Sequence, residues 1–449
     1  MNALQQLLDE TITQIVIWFK GIYLNQAGCP YYAIDGHTGQ ALDKRDLIPE
    51  LDDYVPFFWL LGEHDFVQNQ IQILKQRLQK KPLLFSRPQI RMFRGIGLPG
   101  PWRRWIPHVD SQDYVEILFG LIELHEQSGS IEFLRLAEEL FQNILVAFKR
   151  QNHLRTWYIL PFGPALPVSD ALSGMYIEIA ADLARLTEDT RYIKLAEQLA
   201  KSWLTTTCFQ KYGLFPSVLI DQPWRKLPLF KRFLSRVALA KENTSVASGL
   251  FTLAASPHRR KWAEQALDSW VTGLSKYFAT ADMVLAHTPC LAEGEVHGPV
   301  LSNNFAVLDI LCDLHHLTKS SQCLDLAESI AAYFMKFQAR ETGLFPDEPG
   351  QERSFLDSNT DFAVSLRKLA ELTNQSRYRE AGERALQGII RHHRGPAGFF
   401  RDVHLKTGAV INDLVETRYV SLLLKALILY RDEYQIYGPE GKWSLFRDR

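Results

Sequence analysis

One short phrase recurs along this chain and limits what the chain can fold into. Arg191-Tyr192 in LTEDTRYIKLAEQLA returns as Arg377-Tyr378 in LTNQSRYREAGERAL. Looser copies begin at Gln127 (QSGSIEFLRLAEELF) and Thr318 (TKSSQCLDLAESIA). Each copy has one layout: a helix ends in Leu or His, a short polar turn follows, and a second helix opens on an aromatic or apolar residue. One helical hairpin cannot bury its apolar face alone, so a chain of such units must stack them.

An apolar period of three to four dominates the sequence. It predicts helices near 2–20, 53–64, 66–79, 111–127, 131–149, 169–187, 190–205, 243–255, 257–277, 302–317, 321–338, 358–373, 376–392 and 415–433. The turns inside each repeated phrase are about four residues long, whereas the connections to the next hairpin are long, as from Thr206 to Glu242 or Arg391 to Glu416. Long irregular loops in a compact domain are usually functional. All of these follow the same kind of helix, so they belong on one face. They also resemble each other: YGLFPSVL from Tyr212, TGLFPDEP from Thr342 and AGFFRDVHLKTGAVIND from Ala397. The last echoes CPYYAIDGHTGQALDK near the start, where Asp35-Gly36-His37-Thr38-Gly39 has hairpin-turn chemistry. An echo between first and last loops is what a closed ring would show.

The fold class expected is therefore all-α, an (α/α)6 or (α/α)7 toroid of helical hairpins with long, partly β-hairpin loops on one face, residues 1–449 forming one domain. The Gly-Leu-Phe-Pro loops, the LTxxxRYxxxAE turns and the Asp/Asn-rich helix starts resemble the (α/α) toroids of the six-hairpin glycosidase superfamily and its seven-hairpin relatives. That resemblance implies a carbohydrate-active enzyme: a glycoside hydrolase, a polysaccharide lyase or a sugar epimerase. Fold alone does not choose among them.

Bulk composition narrows the setting. A net charge of −1 argues against a polyanion-binding molecule, and five dispersed cysteines have no metal or redox spacing. They suggest a reducing compartment, and a cytoplasmic location is expected. The N-terminus has Asp9 and Glu10 and no basic start, and it reads as an amphipathic helix rather than a signal peptide. No metal and no cofactor is expected.

Polar clusters open one helix of each hairpin: Asp52-Asp53-Tyr54, Asp110–Tyr114, Ser169-Asp170, Glu242–Thr244, Ser302–Asn304, Asp357–Asp361 and Glu416–Tyr419. The plain reading of each is an N-cap. Several clusters hold more polar groups than a cap needs, so one member can cap while another faces a cavity. Cleaving a glycosidic bond takes two carboxyls, a proton donor and a base or nucleophile. Asp113 and Asp361 are the first choice for that pair, with Asp170 and Glu416 in reserve, and Tyr114, Asn303 and Tyr419 as substrate contacts. An epimerase or lyase needs a base for a carbon-bound proton, a role that suits loop histidines His297 and His404. His287 shares a loop with His297, in which Glu293 and Glu295 complete no metal ligand set.

Two long loops carry segregated charge. Lys80 to Val109 holds Arg91, Arg94, Arg103 and Arg104 with Trp102 and Trp105, and no acid. Gln222 to Lys241 is equally basic, with Trp224, Phe230 and Phe233. Arg grips carboxylates and phosphates two-pronged, and Trp offers a flat face to a sugar ring. The expected partner is an anionic sugar-containing substrate: uronic, sulfated or phosphorylated. The basic amphipathic stretch PWRKLPLFKRFLSRVALA also suits an anionic membrane surface. Nucleic acid is not an expected partner, because no recognition motif accompanies the charge. A third reading is a non-catalytic toroid that binds a glycan, an anionic lipid or a protein.

Overall fold

A computed structural model describes residues 3–80, 108–150, 152–159, 163–165, 168–220, 226, 237–256, 260–289, 298–437 and 446. Fifteen α-helices lie among the described residues: α1 Ala3–Lys20, α2 Leu51–Leu60, α3 His64–Lys80, α4 Val115–Ser128, α5 Ile131–Phe148, α6 Met175–Thr187, α7 Thr190–Leu204, α8 Thr207–Tyr212, α9 Ala240–Ala255, α10 Lys261–Tyr277, α11 Leu301–Thr318, α12 Ser321–Met335, α13 Leu356–Thr373, α14 Ser376–His392 and α15 Thr417–Arg431. Strands are short: β1 Tyr31–Asp35, β2 Ala41–Asp46, β3 His108–Asp110, β4 Lys149–Arg150, β5 His153–Leu154, β6 Trp157–Ile159, β7 Gly163–Ala165, β8 Val168–Asp170, β9 Val218–Ile220, β10 Arg353–Phe355, β11 Asp402–His404 and β12 Leu414–Glu416. All fourteen helices expected from periodicity are present, and the extra one, α8, is only six residues long. No described helix is long and apolar enough to cross a membrane.

The chain divides into two compact units, Met1–Ile73 with Phe278–Arg449, and Leu74–Tyr277. In the first, α15 packs on α1, α2 and α13, and α13 packs on α11. The echo between the first and last loops is a real pairing here: β1 runs antiparallel to β12, with Ala33 opposite Glu416. In the second unit α6 packs between α4 and α9, with α5, α7 and α10 as hairpin partners. Gly249 makes the α6–α9 approach possible, since a Cβ there would stand 2.6 Å from the Ile177 side chain.

The structure explains the recurring phrase. Each turn ends its helix on a left-handed residue: Gly129, Glu188, Lys319 and Asn374. The phrase's tyrosine then stitches neighbouring hairpins together. Tyr192 Oη donates to Glu138 Oε1 at 3.1 Å, and Tyr378 Oη donates to Glu328 Oε1 at 3.0 Å. Both acceptors are the Glu of the preceding copy's Leu-Ala-Glu, so phrase joins phrase within each unit.

The Gly-Leu-Phe-Pro loops are equally regular. Gly213 and Gly343 adopt φ of 70° and 77° and sit against the backbones of α10 and α14. The facing residues are glycines too, Gly273 and Gly388, so no side chain keeps the backbones apart. The following Phe N–H is then clasped by an asparagine of the next helix. Asn243 Oδ1 accepts Phe215 N–H at 2.9 Å, and Asn359 Oδ1 accepts Phe345 N–H at 2.7 Å. Asn304 does the same for Leu285 N–H at 3.0 Å. This corrects the capping reading of those clusters. The N-cap positions of α9, α11 and α13 are Leu239, Val300 and Phe355, and the polar residues sit inside the first turn, holding the preceding loop.

Asn359 also donates to Phe345 O, Ser354 Oγ and Phe355 O, at 2.9–3.0 Å. Asn359→Ala would leave several buried backbone groups unpaired, each costing about 1–3 kcal/mol. A loss of about 2–4 kcal/mol is expected in chemical denaturation, whereas Asn374→Ala at an exposed turn should lose much less. Equal effects would show that the clasp carries no special weight.

Candidate functional site

The first unit gathers chemistry at the starts of α11, α13 and α15. Asp347 follows the second Gly-Leu-Phe-Pro and ties two of these starts together. Its carbonyl accepts Leu301 N–H at 2.7 Å, and its carboxylate accepts Ser302 N–H at 3.4 Å and the Ser358 hydroxyl at 3.0 Å. Burial pushes the Asp347 carboxyl above the usual carboxylate range; the Ser358 bond opposes this and the charge of Asp357 adds to it. The equivalent residue of the second unit is Ser217, whose carbonyl accepts Ala171 N–H at 3.1 Å. One backbone device thus carries a serine in one copy and a carboxylate in the other.

Glu416 closes β12 at the head of α15 and is 9% exposed. Arg401 Nη1 donates to its Oε1 at 3.1 Å. Its carboxyl is nevertheless raised, because burial outweighs Arg401 and the neighbouring Arg418, and Asp357 adds repulsion. Tyr419 is raised further, by burial first and then by Asp357 and Glu416. The half-buried Asp357 therefore acts electrostatically on Asp347, Glu416 and Tyr419 at once. Several groups whose proton affinities are raised together by burial and by one shared neighbour mark a candidate acid/base site.

Next to this centre opens a cleft of about 550 Å³, whose lining includes Asp347, Glu348, Glu352, Arg353, Phe355, His404 and Ile411. Arg353 is ion-paired to the fully buried Asp402 and lies over the Phe355 ring at 4.6 Å. His404 Nδ1 accepts the N–H groups of Lys406 and Thr407 at 3.3 and 3.4 Å, and Nε2 lies 3.4 Å from Glu352 Oε2. Nε2 therefore carries the proton. The lone pair a base would use is already engaged.

The other expected site residues fall as follows. Asp361 lies in the first turns of α13 and is 7% exposed. Asn303 bonds to His287 Nδ1, which fixes that histidine at the head of α11. In the second unit, Asp170 caps the 3₁₀ turn Ala171–Gly174 by accepting Ser173 N–H at 3.3 Å. Tyr114 is fully buried with its ring 6.3 Å from Phe148, so it packs the core rather than meeting a substrate. Asp113 belongs to the 3₁₀ turn Ser111–Tyr114 of that unit, and its side chain lies outside the described residues. Arg91, Arg94, Trp102, Arg103, Arg104, Trp105 and His297 lie outside them as well. Asp347 and Asp357 are the residues that sequence reasoning did not single out.

Comparison with solved structures settles the fold. An α-1,2-mannosidase from Trichoderma reesei aligns over 95% of this chain and 93% of its own, at 13% identity and a TM-score of 0.66. The chain shares its all-helical fold with this structure. A D-mannose isomerase aligns over 97% of this chain and 100% of its own, at 9% identity and a TM-score of 0.58. A cellobiose 2-epimerase from Bacillus thermoamylovorans covers 73% and 88%, at 11% identity and 0.56. No protein-family model matches the chain, and a search of curated proteins finds no match. The all-α class expected from the repeats is the one found.

Proposed function

We propose that this chain is a carbohydrate-active enzyme, and specifically a glycoside hydrolase working by carboxyl acid/base catalysis. Glu416 is the proton donor and Asp357 the second carboxyl, with Asp347 and Tyr419 beside them. The observation that carries this reading is the raised Glu416 carboxyl: it is held toward the neutral form by burial even with Arg401 bonded to it. Asp361 stays the next carboxyl in line, and Asp113 and Asp170 remain candidates from the second unit. The solved structures of similar fold include a mannosidase, an isomerase and an epimerase of sugars, which supports a sugar substrate. The cleft favours an uncharged ring, since Glu348 and Glu352 at its edge repel anions. Support for an anionic glycan, and for contact with an anionic membrane, rests on the basic loops 80–109 and 222–241.

A thermal-shift screen against neutral, uronic, sulfated and phosphorylated sugars finds the ligand class, because a ligand that binds only the folded state raises the melting temperature. The best binders are then assayed for released reducing ends. Cleavage supports the hydrolase. Binding with no product of any kind would leave a non-catalytic sugar-binding protein.

A second reading, a sugar epimerase or isomerase, is favoured by His287. Asn303 occupies its Nδ1 and so orients the ring. His287→Ala should then abolish deuterium incorporation from solvent at a sugar carbon. Incorporation at an unchanged rate removes this reading.

A further inference from the structure

Arg418 stands in the first turn of α15, two positions after Glu416. Its Nη1 lies 2.9 Å from Glu50 Oε2, and its Nε lies 2.5 Å from Asp53 Oδ2. Glu50 ends the 3₁₀ turn Ile48–Glu50 and is 1% exposed; Asp53 lies in the first turn of α2 and is also buried. Burial pushes the Asp53 carboxyl above the usual carboxylate range, Arg418 opposes this, Glu50 adds to it, and Lys425, farther along α15, opposes it too. Two carboxylates and two cations are thus withdrawn from water. Such a group is weak as a device for stability, because desolvating ions offsets most of their attraction.

What the network does is fix a guanidinium. Arginine has a long side chain with many rotamers, and a planar fork held on two sides loses its freedom to swing. We propose that Glu50 and Asp53 are positioning residues that hold the Arg418 charge against Glu416 and Tyr419 and so set the proton affinity of Glu416. Only the catalytic consequence rests on the hydrolase reading; the electrostatic one does not. Glu416 is faced by Arg401, by Asp357 from α13 and by Arg418. Tyr419 is faced by Asp357, Glu416, Arg418 and, from β1, Tyr32.

Asp53→Asn keeps the shape and removes one negative charge. Arg418 is then less compensated and freer to turn toward Glu416, and both effects favour the Glu416 carboxylate. The Glu416 midpoint should fall by about half a unit to one unit, a shift that charges a few ångströms apart readily produce. Arg418→Gln should move it the opposite way. Arg418→Lys, which keeps the charge and loses the fork, serves if the glutamine variant does not fold, and its midpoint should differ from that of the wild type.

The measurement is a ¹³C-carboxyl NMR titration of glutamate-labelled protein, with the Glu416 signal assigned by its disappearance in Glu416→Gln. A midpoint that falls in Asp53→Asn supports the proposal. A midpoint that stays put while the melting temperature drops assigns Glu50 and Asp53 a purely structural role and overturns it. The basic limb of the pH–rate profile should move with the midpoint. If the midpoint moves and the limb does not, the positioning stands and Glu416 is not the catalytic acid.

Discussion

Glu416→Gln is expected to cut turnover by about 10²–10⁴-fold, the usual worth of a positioned acid or base, and to gain stability relative to the wild type as pH rises. Both halves follow from the same burial. The glutamine keeps the shape and can still accept from Arg401, but it has no proton to deliver to a leaving oxygen. Glu416 has a folded-state pKa raised above its unfolded value. Its contribution to stability is therefore fully present below the unfolded pKa and is lost as pH rises through the folded one. As pH rises the wild-type carboxyl ionises and loses that contribution, and a neutral side chain does not. The variant should therefore gain on the wild type in melting temperature as pH is raised and lose ground as it is lowered. Reducing-sugar release and a melting series across pH read the two halves separately. Undiminished turnover would remove Glu416 from the chemistry and pass the role to Asp361. Lost turnover with a sharply lowered melting temperature would make the Arg401 contact structural rather than catalytic.

The helices were legible in the sequence because their apolar period survives every loop. Tyr192 and Tyr378 stood out for the same reason, since one stitch to the preceding Leu-Ala-Glu is made twice. The asparagines were legible as important and misread in role. A cap and a loop clasp use the same amide at nearly the same place, and only the path of the loop before α13 decides that Asn359 reaches Phe345. Asp347 was hidden more thoroughly. It belongs to a phrase read for its glycine, and its signal was a difference between copies: Ser217 after one Gly-Leu-Phe-Pro, Asp347 after the other. His404 had the chemistry of a base, but a single-residue reading cannot tell that two backbone N–H groups take its Nδ1. Proton affinities such as that of Glu416 depend on burial and on neighbours from three elements, and no local pattern encodes them.

Charge inside apolar runs was a signal left unused, and it yields the largest expected effect on stability. Asp309 and Asp313 stand four apart on α11, and Lys368 on α13 reaches both, at 2.9 and 3.2 Å. Lys368 and Asp309 are 0% exposed. Tyr437 Oη donates to Asp313 Oδ1 at 2.6 Å and stacks on His316, while the N–H groups of Ile436 and Tyr437 donate to Glu371. The segment after α15 is thereby fastened to this buried network. Lys368→Met keeps the length and removes the ammonium, leaving two carboxylates in the core. Breaking such a group on one side costs about 3–5 kcal/mol, to be seen as a large fall in the denaturation midpoint. Adding Asp309→Asn and Asp313→Asn to Lys368→Met should recover much of the loss, because the unpaired charge is gone. A single variant as stable as the wild type at pH 7 would mean that water or a rearranged segment at Tyr437 solvates the carboxylates, and the network would then be no part of what holds α11 to α13.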